Sequence, residues 1–190
     1  TSPGPLAGHT AAVLGSHVYI FGGRSGPKTY SNKLYRLDTG KWTEVFFADL
    51  IFLIQQGTFV WATIGGTDKA PTGRAFHATC VIGTAIYVFG GTNGTKVFND
   101  LYRFDTGRQD IALLIFVHDR YSHHYTETNA WEEIIRDADA ECWPPPCFGH
   151  SCVCVSKEVC GIDAIVSFGG ITRKQSSYIP SNELWLFGIG

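Results

Sequence analysis

The polar and apolar residues of this chain follow one pattern that occurs three times. Each copy contains a short run of β-branched and aromatic residues that ends in two glycines, at 18–23, 86–91 and 165–170. A short apolar run bounded by turn residues is typical of a strand that is buried on both faces. The paired glycines allow the chain to leave the strand with a positive φ angle and to pass close to other backbone. The pattern therefore predicts a buried strand in each of three structural repeats.

Each apolar run is surrounded by further segments that also recur. A small-residue segment precedes it and begins with a histidine, which is His9, His77 or His150. A segment of alternating character follows it. The three copies of that segment are NKLYRLD at 32–38, NDLYRFD at 99–105 and NELWLF at 182–187. A fourth segment contains a tryptophan and is present in two copies, KWTEV at 41–45 and NAWEEI at 129–134. Each repeat is thus predicted to form four strands in meander order.

Four short strands per unit, with Gly-Gly in the middle and a tryptophan near the end, resemble the kelch repeat. Kelch repeats build β-propellers in which each repeat forms one blade. The resemblance implies an all-β fold of about three four-stranded antiparallel blades, forming a partial propeller over residues 1–190. The blades are predicted at about 5–45, 71–135 and 145–190, and the third lacks its fourth strand.

Two apolar stretches, 46–66 and 109–127, lengthen the first two repeats beyond the roughly 50 residues of a kelch unit. The first stretch is long enough to span a membrane. However, it contains Asp49, and a span here would place adjacent blades on opposite sides of the bilayer, so no membrane association is predicted. Each stretch is either an extra hairpin or helix packed on the propeller, or residues foreign to the fold, such as translated intron. We favour the second hypothesis.

The composition narrows the class of protein further. Apolar residues make up 44% of the 190 residues and charged residues 17%, which excludes a disordered chain. The net charge of −2 provides no general basic field, so nucleic acid is not predicted as a partner. The N-terminus has no signal-like pattern, which leads us to expect a cytoplasmic location. The sequence reads as a fragment of a longer chain, and its open blade edges are expected to favour self-association.

The cysteines and histidines raise the question of a metal site. Five cysteines lie close together at 142, 147, 152, 154 and 160, but no C-x-x-C pair exists, so buried structural thiols are predicted. The sequence does not decide whether any of these cysteines form disulfides, although the repeat pattern places Cys80 in another blade. The kelch resemblance implies that His9, His77 and His150 belong to the scaffold. The histidines at 118, 123 and 124 are a weak metal signal, and no metal, cofactor or catalytic residue is predicted.

The kelch resemblance implies a non-catalytic scaffold or adaptor that binds a protein or peptide through loops on one rim of the blades. The predicted contact residues are Arg24, Lys28, Tyr30, Arg74, Asn93, Lys96, Arg173 and Tyr178. For Arg74, hydrogen bonding to a neighbouring blade is an equal alternative. Two other functions stay open. One is a fragment of a galactose-oxidase-like or specifier-like kelch enzyme, and the other is a mispredicted gene fragment without independent function.

Overall fold

The structure is a computed structural model that describes residues 2–47, 50–56, 59–64, 69–107, 129–135, 143–174 and 177–189. The described chain is almost entirely antiparallel β-structure. The strands of the first repeat are β1 (Thr10–Leu14), β2 (His17–Phe21), β3 (Arg24–Gly26), β4 (Thr29–Tyr30), β5 (Leu34–Asp38), β6 (Lys41–Phe47), β7 (Leu50–Gln56) and β8 (Val60–Ile64). Its four-stranded sheet has the order β1-β2-β5-β8.

The fourth strand of this first blade is not where the sequence pattern places it. The sequence pattern predicts Lys41–Val45 as the strand beside β5, and this prediction is wrong. Strand β6 instead pairs with β7 over seven residues to form a separate hairpin. Strand β8 takes the place beside β5, and Trp61 lies opposite Leu37. The β6–β7 hairpin is local because its two strands follow each other directly in the chain. Strand β8 supplies a second tryptophan, Trp61, beside β5.

Most of the described residues of the stretch 46–66 lie in strands. Its first part belongs to the β6–β7 hairpin, and Val60–Ile64 completes the first blade. The second apolar stretch, 109–127, lies outside the described residues. None of the helices in the described part of the chain is long and apolar enough to cross a membrane.

The second and third repeats form sheets of the same design. The second blade consists of β9 (Ala78–Ile82), β10 (Ala85–Phe89), β11 (Leu101–Asp105) and β12 (Ala130–Ile134). The elements of the third repeat are β13 (Cys147–Phe148), β14 (Ser151–Val155), α1 (Lys157–Cys160), β15 (Ala164–Phe168), β16 (Ile171–Lys174), β17 (Ser177–Pro180) and β18 (Leu184–Gly188). Its blade has three described strands, β14-β15-β18, and a second sheet has the order β13-β16-β17.

The hydrophobic core lies between the blades. One cluster joins the first blade to the second and includes Phe21, Leu34, Phe104 and Trp131, which are all buried. A second cluster joins the second blade to the third through residues such as Phe89 and Phe187. Because each sheet is covered on both faces only when it has two neighbours, the apolar strands predicted from the sequence are explained by packing between repeats.

The repeated histidines and glycines form the joints between these blades. The ring of His77 lies against Gly22 of the preceding repeat, where an added Cβ would come within 2.8 Å of the His77 Cε1 atom. The Cβ of His77 lies against Gly91 of its own repeat, again at 2.8 Å from an added Cβ. Both glycines also have positive φ angles, of 66° and 93°. Any other residue would therefore clash with the histidine and strain the backbone.

Candidate functional site

One rim of the blades is built from the loops that carry most of the predicted contact residues. We call it the basic rim and define it by residues 2–9, 24–33, 69–77, 92–97, 143–150, 171–174 and 177–180. These segments contain no Asp or Glu and include eight Lys or Arg residues. The eight are Arg24, Lys28, Lys33, Lys69, Arg74, Lys96, Arg173 and Lys174. A rim of this composition attracts negatively charged partners, although the net charge of the chain is −2.

Backbone pairing holds the loops of the basic rim in place. In the first repeat, β3 and β4 form a small hairpin, and Arg24 bridges to Ala7. In the second repeat, Thr92 forms bridges to Ala75 and to Val97. In the third, the β16–β17 hairpin pairs with β13. The loops are thus extensions of sheet structure, which presents their side chains at fixed positions.

The structure places Arg24 and Lys28 on the exposed surface of the basic rim. The guanidinium of Arg24 lies 5.7 Å from the centre of the Phe76 ring. Tyr30 is half-buried, and its hydroxyl group lies beside Gly94 of the next repeat. Neighbouring loops are therefore in contact along the rim, and Tyr30 contributes to that contact as well as to the surface.

In the second repeat, the side-chain oxygen of Asn93 accepts hydrogen bonds from the backbone N–H groups of Thr95 and Lys96, at 3.1 and 2.8 Å. Asn93 therefore shapes its own turn. The side chain of Lys96 is exposed, and its Nζ atom lies 5.3 Å from the centre of the Phe98 ring. In the third repeat, Arg173 and Tyr178 are both exposed and face each other across the β16–β17 hairpin.

Arg74 differs from the other predicted contact residues because it is completely buried. Its guanidinium donates hydrogen bonds to both carboxylate oxygens of Asp100, at 2.5 and 3.0 Å, and to the carbonyl of Gly90 at 2.9 Å. It also lies 4.1 Å from the centre of the Phe98 ring. A partner on the surface has no access to this side chain, so the structure corrects the assignment of Arg74 from contact residue to scaffold.

Two aromatic residues of the basic rim were missed by the sequence analysis. Phe76 and Phe148 lie directly beside the repeated histidines, and their ring centres are 6.5 Å apart. Phe148 is in turn 5.7 Å from the ring of Tyr178. A sequence signal for Phe76 exists, because the other two repeats have glycine at its position, Gly8 and Gly149. Because Phe76 replaces a glycine that the other two repeats share, the sequence alone could have identified Phe76 as unusual.

The buried histidines behave as scaffold residues, as the kelch resemblance implies. The hydroxyl group of Thr10 forms a hydrogen bond with Nε2 of His77 at 2.7 Å. Burial, with a further contribution from the nearby Arg74 charge, lowers the pKa of His77 to about 3. Burial also lowers the pKa of His150 to about 4. Both rings are therefore neutral at physiological pH.

The cysteines are also part of the scaffold. Burial raises the pKa of the Cys147 thiol to about 12 and that of Cys152 to about 11, so neither is a reactive thiolate. Cys80 lies in the second blade, as predicted, and forms a disulfide with Cys154 of the third blade, a pairing that the sequence left open. The first strands of adjacent blades lie side by side, and this brings the two residues together. In the part of the chain that the structure describes, no group of three or more His, Cys, Asp or Glu side chains could hold a metal ion.

Comparison with known proteins agrees with this architecture. The model of the KLHDC2/KLHL20/DRC7 Kelch-repeats domain matches residues 1–124. The solved structure of YjhT superposes with a TM-score of 0.54 at 20% identity, covering 90% of this chain and 36% of that one. At this level of identity the match concerns the fold alone.

Curated relatives match about half of the chain. Human Kelch domain-containing protein 3 is 31% identical over 102 residues, which are 51% of this chain and 24% of that protein. The N-(sulfonatooxy)prop-2-enimidothioate sulfolyase of Thlaspi arvense is 30% identical over 114 residues, 59% of this chain and 28% of the enzyme. The tRNA wybutosine-synthesizing protein 2/3/4 of Arabidopsis thaliana is 30% identical over 55% of this chain and 9% of its own length.

The chain thus spans less than a third of the length of these relatives. Its strand order, the joints between its blades and the family match over residues 1–124 lead to the same conclusion. The chain belongs to the kelch-repeat family and forms part of a kelch-type β-propeller.

Proposed function

We propose that this chain is a non-catalytic protein-interaction module, of the kind that adaptor proteins use, and that it binds its partner at the basic rim. The observation that carries this proposal is the composition of the rim segments, which contain seven basic residues besides the buried Arg74 and no Asp or Glu. Its loops are fixed by sheet pairing, so a partner can bind without first ordering them. The family match over residues 1–124 also supports the proposal, because a protein-interaction role is what the kelch resemblance implies.

The test is the capture of proteins from a cell extract by the wild type and by a rim variant. The variant replaces three exposed basic residues, Arg24→Ala, Lys96→Ala and Arg173→Ala, and leaves the buried Arg74 in place. Lys157→Ala, which removes an exposed basic residue on α1, serves as the control. We expect the wild type and the control to retain the same proteins and the rim variant to lose them. Equal recovery by all three, with unchanged circular dichroism, would contradict the proposal.

A cytoplasmic location is part of this proposal. The cytoplasm keeps thiols reduced, so the pair formed by Cys80 and Cys154 would be held there as two thiols. Mass spectrometry after rapid alkylation in cells distinguishes the two states. Recovery of the chain from a secreted fraction with this disulfide formed would contradict a cytoplasmic location.

Self-association is a second candidate, and the exposure of equivalent residues favours it. Phe21 and Phe89 are each 1% exposed, whereas Phe168, at the same position in the third repeat, is 55% exposed. Leu34 and Leu101 are 1% and 0% exposed, and the equivalent Leu184 is 67% exposed. The third blade therefore presents an apolar face that the first two blades cover with a neighbour. Another kelch blade, from the same polypeptide or from a second copy, would fit it.

An enzymatic role is the alternative from a different class. Its support is the similarity to the sulfolyase and to the wybutosine-synthesizing protein, at 30% identity in each case. Elemental analysis of the purified chain discriminates between an enzyme and a non-catalytic binding module. A transition metal bound in stoichiometric amount would favour the enzyme.

A further inference from the structure

Phe76 has a backbone conformation that is unusual for a bulky residue. Its φ angle is 58°, in the left-handed region, and the equivalent Gly8 and Gly149 have φ angles of 68° and 66°. Glycine adopts this conformation freely, whereas a side chain makes it unfavourable. The second repeat thus carries a phenylalanine at a position where the other two repeats have the residue that suits the backbone.

The conformation of Phe76 is held in place by both neighbouring blades. Its N–H group donates a hydrogen bond of 2.7 Å to the carbonyl of Gly8. Its own carbonyl accepts a hydrogen bond of 2.7 Å from the N–H group of Gly149. The ring lies over Gly8, where an added Cβ would come within 2.9 Å of it. The ring is nevertheless 36% exposed, so burial in a core does not explain why a phenylalanine is present.

The exposed ring belongs to a continuous row of side chains, which we call the aromatic row. It comprises Arg24, Phe76, Phe148, Tyr178 and Arg173. The three ring centres are separated by 6.5 and 5.7 Å. The Arg24 guanidinium lies 5.7 Å from the Phe76 ring at one end, and the Arg173 guanidinium lies 6.0 Å from the Tyr178 ring at the other. The row runs across the basic rim from the first repeat to the third.

The spacing of the aromatic row matches that of an extended peptide. A β-strand advances about 3.3 Å per residue, so side chains on one face recur about every 6.6 Å. This distance is close to both steps between the three rings. Every second side chain of a bound peptide could therefore lie against a successive ring. The two guanidinium groups at the ends are placed to pair with carboxylates of a partner, and the described segments of the basic rim contain no Asp or Glu.

We propose that the aromatic row binds an extended acidic segment of a partner protein. The segment has apolar or aromatic side chains at three alternate positions and carboxylates at either end of them. This inference rests on the proposed function and specifies the chemistry of the partner. It also gives a reason for Phe76, because its ring is the link between the first repeat and the rings of the third.

The probe is a fluorescent nine-residue peptide with Glu at positions 1 and 9, Phe at positions 3, 5 and 7, and Ser elsewhere. A peptide of the same composition in scrambled order tests the alternation, and a peptide with Lys at both ends tests the charge. We expect the probe to bind more tightly than either comparison peptide, by about tenfold or more. Binding should weaken as salt concentration rises.

The decisive variant is Phe76→Gly, because the other repeats show that glycine suits this backbone. It should fold as stably as the wild type and lose about tenfold or more in affinity for the probe. Tyr178→Ala, at an exposed position, should give a similar loss. Phe59→Ala is the matched control, since Phe59 is also exposed but lies next to β8 at the other end of the blade.

Equal affinity for the three peptides, or equal affinity of the wild type and the Phe76→Gly and Tyr178→Ala variants, would overturn this proposal. Such a result would leave the proposed function intact if the basic-rim variant still lost its captured proteins. If the wild type and the basic-rim variant captured the same proteins, the proposed function itself would be refuted. The two experiments therefore separate the general proposal from the specific one.

Discussion

At the scale of single residues, the joints between blades depend on two buried neutral histidines. His77 lies between glycines of two successive repeats, and its burial keeps the ring uncharged. Protonation would place a charge among apolar groups, and that charge is stabilised in water only after unfolding. The histidines therefore link the stability of the blades to pH.

We expect the free energy of unfolding to fall as the pH drops below about 6.5. The pKa of His77 is lowered from 6.5 to about 3 in the folded chain, and that of His150 from 6.5 to about 4. The unfolded chain therefore binds more protons in this range, and the stabilising contribution is complete only above the unfolded pKa. At pH 5.5 each histidine should cost about 1.4 kcal/mol relative to pH 7.5. Urea denaturation at the two pH values measures the difference.

A His77→Gln variant provides the control for this pH dependence. It should be less stable than the wild type at pH 7.5, and its stability should decline less between pH 7.5 and 5.5, because only one of the two buried rings remains. An identical decline in the variant and the wild type would show that other groups cause it.

The residue scale also shows what a sequence can and cannot predict. The scaffold role of His77 follows from its recurrence in each repeat. The burial of Arg74 does not, because its neutralisation by Asp100 joins residues 26 positions apart. Phe76 is visible as an exception to a repeated glycine, but its contact with Phe148 arises only when two blades are placed side by side.

At the scale of elements, the sequence predicts each inner strand correctly and misplaces one outer strand. The inner strands carry an apolar pattern that ends in Gly-Gly and occurs three times, at 18–23, 86–91 and 165–170. The outer strand of the first blade has little more than a tryptophan as its signal, and both Trp42 and Trp61 provide one. In the structure, β8 pairs with β5, so Trp61 and not Trp42 belongs to the outer strand of the first blade. The local sequence pattern does not predict which of two candidate strands forms such a long-range pairing.

The disulfide joins two elements that the sequence analysis treated as separate. Cys80 on β9 and Cys154 on β14 are 74 residues apart in the chain, and their Cα atoms are 5.7 Å apart. A covalent link across so long a loop restricts the unfolded chain considerably. We expect the Cys80→Ser, Cys154→Ser double variant to lose about 2–4 kcal/mol of stability under oxidising conditions.

The matched control for this prediction is the wild type in the presence of a reductant, where both proteins should unfold at similar denaturant concentrations. Cys152→Ser, which replaces a free cysteine on the same strand, should retain the response to the reductant. A wild type that is insensitive to the reductant would contradict the prediction.

At the scale of the whole molecule, the outer blades present surfaces that complement each other. The first blade has Val13 exposed, and Ile20 and Leu37 half-buried, on the side that later blades turn toward their predecessors. The third blade has Val153, Phe168 and Leu184 exposed on the side that earlier blades turn toward their successors. These surfaces repeat the two sides of the buried interfaces within the chain, so the self-association proposed above would be head-to-tail.

Two single variants test this arrangement by complementation. Val13→Glu alters the surface of the first blade, and Leu184→Glu alters that of the third, each at a position that is 67% exposed. We expect the wild type to form assemblies larger than a monomer in light scattering, and each variant alone to be monomeric. A mixture of the two variants retains one intact pair of surfaces and should form a one-to-one dimer. A monomeric wild type would refute self-association.

The joint formed by Gly22, His77 and Gly91 also bears on how such a chain can be recombined. The first glycine of one repeat, Gly22, meets the histidine of the next repeat, and the second glycine, Gly91, meets the histidine of its own repeat, so the joint crosses any boundary drawn by sequence repeats. A chimera that exchanges whole repeats therefore separates the origin of Gly22 from that of His77. A chimera cut inside the second strand keeps Gly22 with His77 but separates His77 from Gly91. Because Gly90 and Gly91 belong to successive joints, a single blade cannot be exchanged without dividing a joint.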